Sequence, residues 1–196
     1  MSKQLKKFQF PEPKISQHLL EKGAALILEG LGVDRRDRNF QDTPERFARA
    51  LMEVFNPPLT DWAAFPEENS DFILLRDHRM YSFCPHHLLP VKLYVSVAYI
   101  PNGNVLGLSK LARIAHECNR GPSLQETLTS DILRAIQYVT GGARGAACLI
   151  EGKHGCMEMR GVKTDGHILT YKFSGEFESS DKLQERFFAL CKTPRM

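Results

Sequence analysis

The sequence predicts an α+β domain: a four-stranded antiparallel sheet with helices on one face. Three observations carry this reading. Val91, Leu93, Val95, Val97 and Tyr99 alternate with residues that include Lys92 and Ser96, the two-residue period of a half-buried strand. After residue 70 the elements run strand, strand, helix, helix, strand, strand, in separate runs and not in strict alternation. The chain has 196 residues, of which 42% are hydrophobic and 25% charged. That is the size of one domain, and a chain this long closes one core without help from a disulfide or a metal.

The elements follow in order. Residues 1–14 are polar, carry Pro11 and Pro13, and read as a loose arm. Ile15, Leu19, Leu20, Ile27 and Leu31 have helical spacing over 15–31, interrupted by Gly23 and Gly30. Asp42 and Thr43 can cap a second helix, Pro44 suits its first turn, and Glu45 can complete a capping box from Asp42. Its apolar stripe is Phe47, Ala50, Leu51 and Val54, and Asn56-Pro57-Pro58 stops it. Residues 56–70 read as a loop. Strands are expected over 71–83 and 91–100, and Pro101-Asn102-Gly103 marks a turn. Ser109 is expected to cap a helix running to about Asn119, broken by Gly121-Pro122. Ser123 opens the next helix, which Gly141-Gly142 ends. Two further strands are expected over 144–153 and 168–177, then a terminal helix over 180–192. Residues 1–70 thus form an N-terminal arm and helical segment, and 71–196 one compact unit carrying the chemistry.

Composition excludes several classes. With 26 basic and 23 acidic residues the net charge is +3, too balanced for a nucleic-acid coat or a polybasic membrane anchor. No apolar stretch approaches the roughly 20 residues of a membrane helix. The N-terminal MSKQLKKFQF has no apolar core, so no secretory signal is expected. Cys84, Cys118, Cys148, Cys156 and Cys191 are an odd, scattered set. They point to a reducing, cytoplasmic compartment and away from a disulfide framework.

Four constellations carry chemistry. Cys84 and His87 are spaced C-x-x-H at a strand end, and Cys156 stands at another, so three soft or borderline donors can meet one cation. Three protein ligands leave a position for water, which makes a hydrolytic zinc site. A closed structural site that adds His154 uses the same residue types, and the spacing leaves both open. Buried thiols with surface imidazoles and no metal are the third reading. His86 and His154 flank the cluster, and imidazoles beside activated water carry protons near neutral pH. The alternative is that one of them only hydrogen-bonds a ligand. Ser109, Lys110 and Arg113 open a helix, with the two cations at i and i+3 on one face, an arrangement suited to phosphate. Arg160 and Arg46 can add charge, although each cation alone is equally a solvated side chain. Finally, Gln125-Glu126 follows Ser123. Glu126 can accept two parallel N–H bonds from a guanine edge, or can close an S-x-x-E capping box.

Five blocks stand in order: Cys84-Pro85-His86-His87; Ala98-Tyr99-Ile100-Pro101-Asn102-Gly103; Val105-Leu106-Gly107-Leu108-Ser109-Lys110-Leu111-Ala112-Arg113-Ile114; Gln125-Glu126; and His154-Gly155-Cys156-Met157-Glu158-Met159-Arg160-Gly161-Val162, with Asp42-Thr43-Pro44-Glu45-Arg46 as a further motif upstream. Together they closely resemble zinc-dependent GTP cyclohydrolase I, over about residues 15–192. Pro85 stands where that family commonly has glutamate, and Gly121 and Thr127 where it has arginines.

The resemblance implies the tunnelling fold: a four-stranded antiparallel sheet with two helices inserted between strand pairs, plus N-terminal helices. It implies a homodecamer of two stacked pentamers with active sites at subunit interfaces. The implied reaction opens the imidazole ring of GTP at C8, releases formate and yields 7,8-dihydroneopterin triphosphate for pterin or tetrahydrofolate biosynthesis. By position, Cys84, His87 and Cys156 are implied to hold Zn2+, which selects the open site. His154 is implied as the acid at N7, His86 as the proton carrier at the ribose, and Ser109 as its contact. Gln125 and Glu126 are implied to hold guanine, and Lys110, Arg113, Arg160 and Arg46 the triphosphate. The departures leave room for a diverged paralogue acting on another purine nucleoside triphosphate, or for a non-catalytic zinc-stabilised purine-binding protein. A long regulatory N-terminal extension is absent, so feedback control through one is not expected.

Overall fold

A computed structural model describes residues 9, 10, 12, 14–34, 36–58, 62–66 and 71–192. The chain divides into two compact units, Glu12–Pro58 and Met1–Pro11 with Leu59–Met196. The first holds helices α1 (Gln17–Gly30) and α2 (Thr43–Phe55). Ser16 caps α1 by accepting a hydrogen bond from the Leu19 amide at 3.3 Å. Pro44 sits in the first turn of α2, as its fixed φ favours. The expected capping box is not made. The Asp42 carboxylate turns to Arg46 instead, at 3.0 Å, because a guanidinium one turn on offers a charged donor.

The second unit holds β1 (Ala64–Pro66), β2 (Ile73–Phe83), β3 (Pro90–Ile100), β4 (Asn104–Leu106), α3 (Ser109–Cys118), α4 (Gln125–Val139), β5 (Gly145–His154), α5 (Gly155–Glu158), β6 (Ile168–Gly175), α6 (Glu176–Ser179) and α7 (Asp181–Lys192). The four long strands form one antiparallel sheet in the order β2-β3-β5-β6. With α3 and α4 inserted between the two strand pairs, this is the expected tunnelling-fold arrangement. One expectation fails at its edge. The 56–70 segment is not all loop, because 64–66 pairs with β4, which also ties it to this unit. Within the segment, 59–61 and 67–70 lie outside the described residues. Of the N-terminal arm, 1–8, 11 and 13 likewise lie outside them, while Phe10 stacks on Trp62 with ring centroids 5.4 Å apart.

Strand β3 divides the core. Val91, Leu93, Val95, Val97 and Tyr99 face α3 and α4, where Leu111, Ile114, Leu128, Ile132 and Ile136 are buried against them. Each such side chain contributes roughly 1.5–3 kcal/mol by leaving water. Ala98 and Ile100 face the other side, so helices are not confined to one face as expected. Phe177 of α6 and Phe187 of α7 pack there against Ala98 and Ala147. Two small alanines in register make room for that aromatic layer. Neither sheet-spanning helix has a side-chain cap: Leu108 precedes α3 and Leu124 precedes α4. Ser109 is the first residue inside α3 and not its cap. The Ser123 hydroxyl is buried without a partner, so the S-x-x-E box is not formed.

Candidate metal centre

The centre is assembled by the register of β3. Val91 pairs with Ser82 of β2 on one side and with His154 of β5 on the other. Cys84 and Cys156, each two residues beyond those partners, therefore emerge at the same sheet end. The segment after β2 then folds on itself. The Leu88 amide donates to the Cys84 carbonyl and the Cys84 amide to the Leu89 carbonyl, each at 2.9 Å. Leu88 has φ 51, a left-handed conformation that an L side chain rarely adopts. That tight turn brings His87 Nδ1 to 3.6 Å from Cys84 Sγ.

On the other side β5 ends at His154, and α5 begins at once. A Cβ on Gly155 would lie 2.9 Å from the Pro90 carbonyl, so only glycine lets the chain turn this close to β3. Lys153 pairs with Glu158 at 3.1 Å across the turn. This helical turn separates His154, the last residue of β5, from Cys156. Cys156 swings toward Cys84, while His154 stays under α4.

Cys84, His87 and Cys156 offer donor atoms that all lie within 4.8 Å of one another. Among the described residues this is the one group of three or more His, Cys, Asp or Glu side chains that can hold an ion. The donors fit a divalent cation of borderline softness such as zinc. Burial and the adjoining Cys84 thiol push the Cys156 thiol up. His154 is not part of the group. Its Nε2 lies 2.8 Å from Gln125 Oε1. The closed four-ligand arrangement is therefore not what the side chains build.

The other expected residues fall as follows. His86 is exposed, with Nδ1 3.8 Å from Cys84 Sγ. Arg160 Nη1 lies 3.0 Å from His87 Nε2, so this cation is delivered to the cluster itself. Ser109 and Arg113 are exposed and Lys110 is half-buried in the first turns of α3. Arg46 belongs to the other compact unit and is paired with Asp42. Glu126 is exposed in the first turn of α4, close enough to act on the charge of His154. Burial lowers the pKa of His154 and the Glu126 carboxylate partly offsets this.

Gln125 differs most from expectation. It is 5% exposed, and its amide is bonded within the chain to Ile150, Ile168, Thr170 and His154. Sequence reasoning missed this clamp and the glycine beneath it, Gly152. The available signal was Gly152 two residues before His154 on one strand face, a gap in a face otherwise filled by Ala146, Cys148 and Ile150.

The fold and the donor set together define a tunnelling-fold protein with a metal-competent centre. The family profile described as GTP cyclohydrolase I matches residues 20–192. A GTP cyclohydrolase 1 of Pseudomonas syringae pv. tomato is 41% identical over 180 residues, covering 88% of this chain and 99% of that protein. One from Pseudomonas aeruginosa is 40% identical over 185 residues, covering 91% and 96%. Among solved structures, the apo form of an archaeosine synthase QueF-Like protein is 21% identical, covers 55% of this chain and 97% of its own, and gives a TM-score of 0.46. The chain belongs to the GTP cyclohydrolase I family.

Proposed function

We propose that this chain opens the imidazole ring of GTP at C8, releases formate, and rearranges the remainder to 7,8-dihydroneopterin triphosphate. The observation that carries the reading is one sheet end where two thiols and an imidazole converge while a second imidazole, His154, is held aside as a non-ligand. Cys84, His87 and Cys156 would hold Zn2+. When bound, zinc polarises substrate and makes water acidic enough to react near neutral pH.

The chain's own residues do the rest. C8 becomes electrophilic when N7 is protonated, and His154 supplies that proton. Glu126 accepts the two parallel N–H bonds of the guanine edge, and the absence of the capping box leaves its carboxylate unclaimed by the helix start. Gln125 is not assigned to the base, because its amide is engaged elsewhere. Lys110, Arg113 and Arg160 bind the triphosphate, three cations against about four negative charges. Ser109 holds the ribose, and His86 moves protons there once formate has left.

The working particle is a homo-oligomer, a decamer of two stacked pentamers with sites between subunits, and it acts in the cytoplasm. Among the described residues no helix is long and apolar enough to cross a membrane. The test is incubation of zinc-loaded protein with GTP and a panel of other purine nucleoside triphosphates, reading formate and pteridine absorbance. Formate from GTP is the expected result. Turnover of another nucleotide with none of GTP would make this a paralogue of different specificity, and nucleotide binding without formate would make it a scaffold.

A further inference from the structure

We propose that Gln125 is a positioning residue. It fixes the ring of His154 so that Nε2 is tied into the fold and Nδ1 is the nitrogen turned over to the substrate. This rests on the reading of His154 as the proton donor to GTP.

The two ends of a glutamine amide are told apart by their neighbours. One end of Gln125 lies 3.1 Å from the Ile150 carbonyl, 2.9 Å from the Ile168 carbonyl and 3.1 Å from Thr170 Oγ1. The two carbonyls can only accept. The threonine is forced to accept as well. Thr129 donates its single hydroxyl proton to the Gln125 backbone carbonyl at 2.7 Å. In its 2.7 Å contact with Thr170 it must therefore receive, so the Thr170 proton points to Thr129 and a Thr170 lone pair faces the amide. Three acceptors require the NH2 end there. The oxygen end is left facing His154 Nε2 at 2.8 Å, and an amide oxygen only accepts. Nε2 therefore carries hydrogen. The clamp therefore holds the ring by Nε2 and leaves Nδ1 as the nitrogen for the substrate.

The space for this clamp is provided by an absent side chain. A Cβ on Gly152 would lie 2.0 Å from Gln125 Oε1 and 3.1 Å from His154 Nε2. Gly152 sits two residues before His154 on the same face of β5, beneath the Gln125 side chain. Any side chain there displaces the glutamine. A held glutamine fixes both which nitrogen reacts and where the ring points, and reacting groups lose rate steeply when misplaced by an ångström.

The test uses the zinc-loaded full chain. Gly152→Ala displaces the glutamine without altering any residue assigned to GTP or to the metal, and Gln125→Leu removes the clamp outright. Both are expected to lower kcat by about 10–100-fold while KM for GTP stays within about threefold and zinc stoichiometry is unchanged. Thr170→Val weakens the amide's anchorage and should lose several-fold in kcat, with Thr170→Ser restoring it. That pair decides the matter if thermal melts show the first two variants unfolded. A rise in KM at constant kcat in Gln125→Leu would mean that Gln125 reads the base, and would overturn the proposal. So would unchanged kinetics in Gly152→Ala with the glutamine crystallographically displaced. Wild-type protein that releases no formate from GTP would instead remove the reading of function on which this rests, so the two failures are distinct.

Discussion

The two histidines that follow Cys84 and the one that precedes Cys156 live in different surroundings. His86 and His87 sit on an exposed turn held by two backbone hydrogen bonds and a left-handed Leu88. His154 is tied to a buried amide with four polar partners between α4, β5 and β6. An ion shared by Cys84, His87 and Cys156 would tie this exposed turn to the end of β5. The clamp needs no ion, because every atom that orients His154 belongs to the protein. In the proposed mechanism such a site separates metal retention from proton delivery, and substitutions should separate them too.

Removing a ligand should break the comparison most completely. Cys156→Ala is expected to lose zinc and GTP turnover together, to background, since two remaining donors do not make a three-ligand catalytic site. Metal analysis alongside formate release checks this; a zinc-free variant that still turned over would remove the ion from the chemistry. His154→Ala is the counterpart. It should keep full zinc and lose about 10²–10⁴-fold in ring opening, the usual worth of a positioned acid. Near-full turnover in that variant would show the acid to be elsewhere. Glu126→Ala removes no metal donor and no atom of the clamp, although it takes away a charge that acts on His154. Losing a charge-assisted hydrogen-bond pair, each bond worth about 1.5–3 kcal/mol, should raise KM for GTP by about two to four orders of magnitude. If only the melting temperature moved, the carboxylate would be serving the helix and not the base.

The smallest effect expected is in stability. His78 and His116 face each other with Nε2 atoms 3.0 Å apart between β2 and α3. Burial lowers the pKa of both, and for His78 the charge of His116 lowers it further. The folded state therefore takes up these protons later than the unfolded chain, whose histidines titrate near about 6.5. Stability from this pair is complete above that value and is lost as the pH falls through it toward the folded values. His116→Phe should flatten the decline in melting temperature between pH 8 and 5. Parallel slopes for variant and wild type would show that the pair does not couple to folding.

The division between what could and could not be read beforehand follows the same line. The C-x-x-H spacing and the strand-end Cys156 are local features, so their convergence was legible, as was the order of the sheet elements. The Gln125 clamp joins residues 25 to 45 positions apart through a glycine, and no spacing rule reaches that far. The S-x-x-E and D-x-x-E patterns misled because capping competes with other partners. Asp42 found Arg46, and Ser123 was buried without forming its bond. The terminal helix was legible, but the face it covers was not, because small Ala98 and Ala147 give no hydrophobic signal of the aromatic layer above them.

The pairing of Val91 with both Ser82 and His154 sets a timetable for the newborn polypeptide. The hairpin of β2 and β3 is local and can close early, but its partnership with β5 joins positions about sixty apart and must wait for the slower, long-range step. Until that zipper closes, Cys156 has no address near Cys84. Capture of an ion by the proposed trio would therefore be a late event, performed by a nearly finished chain.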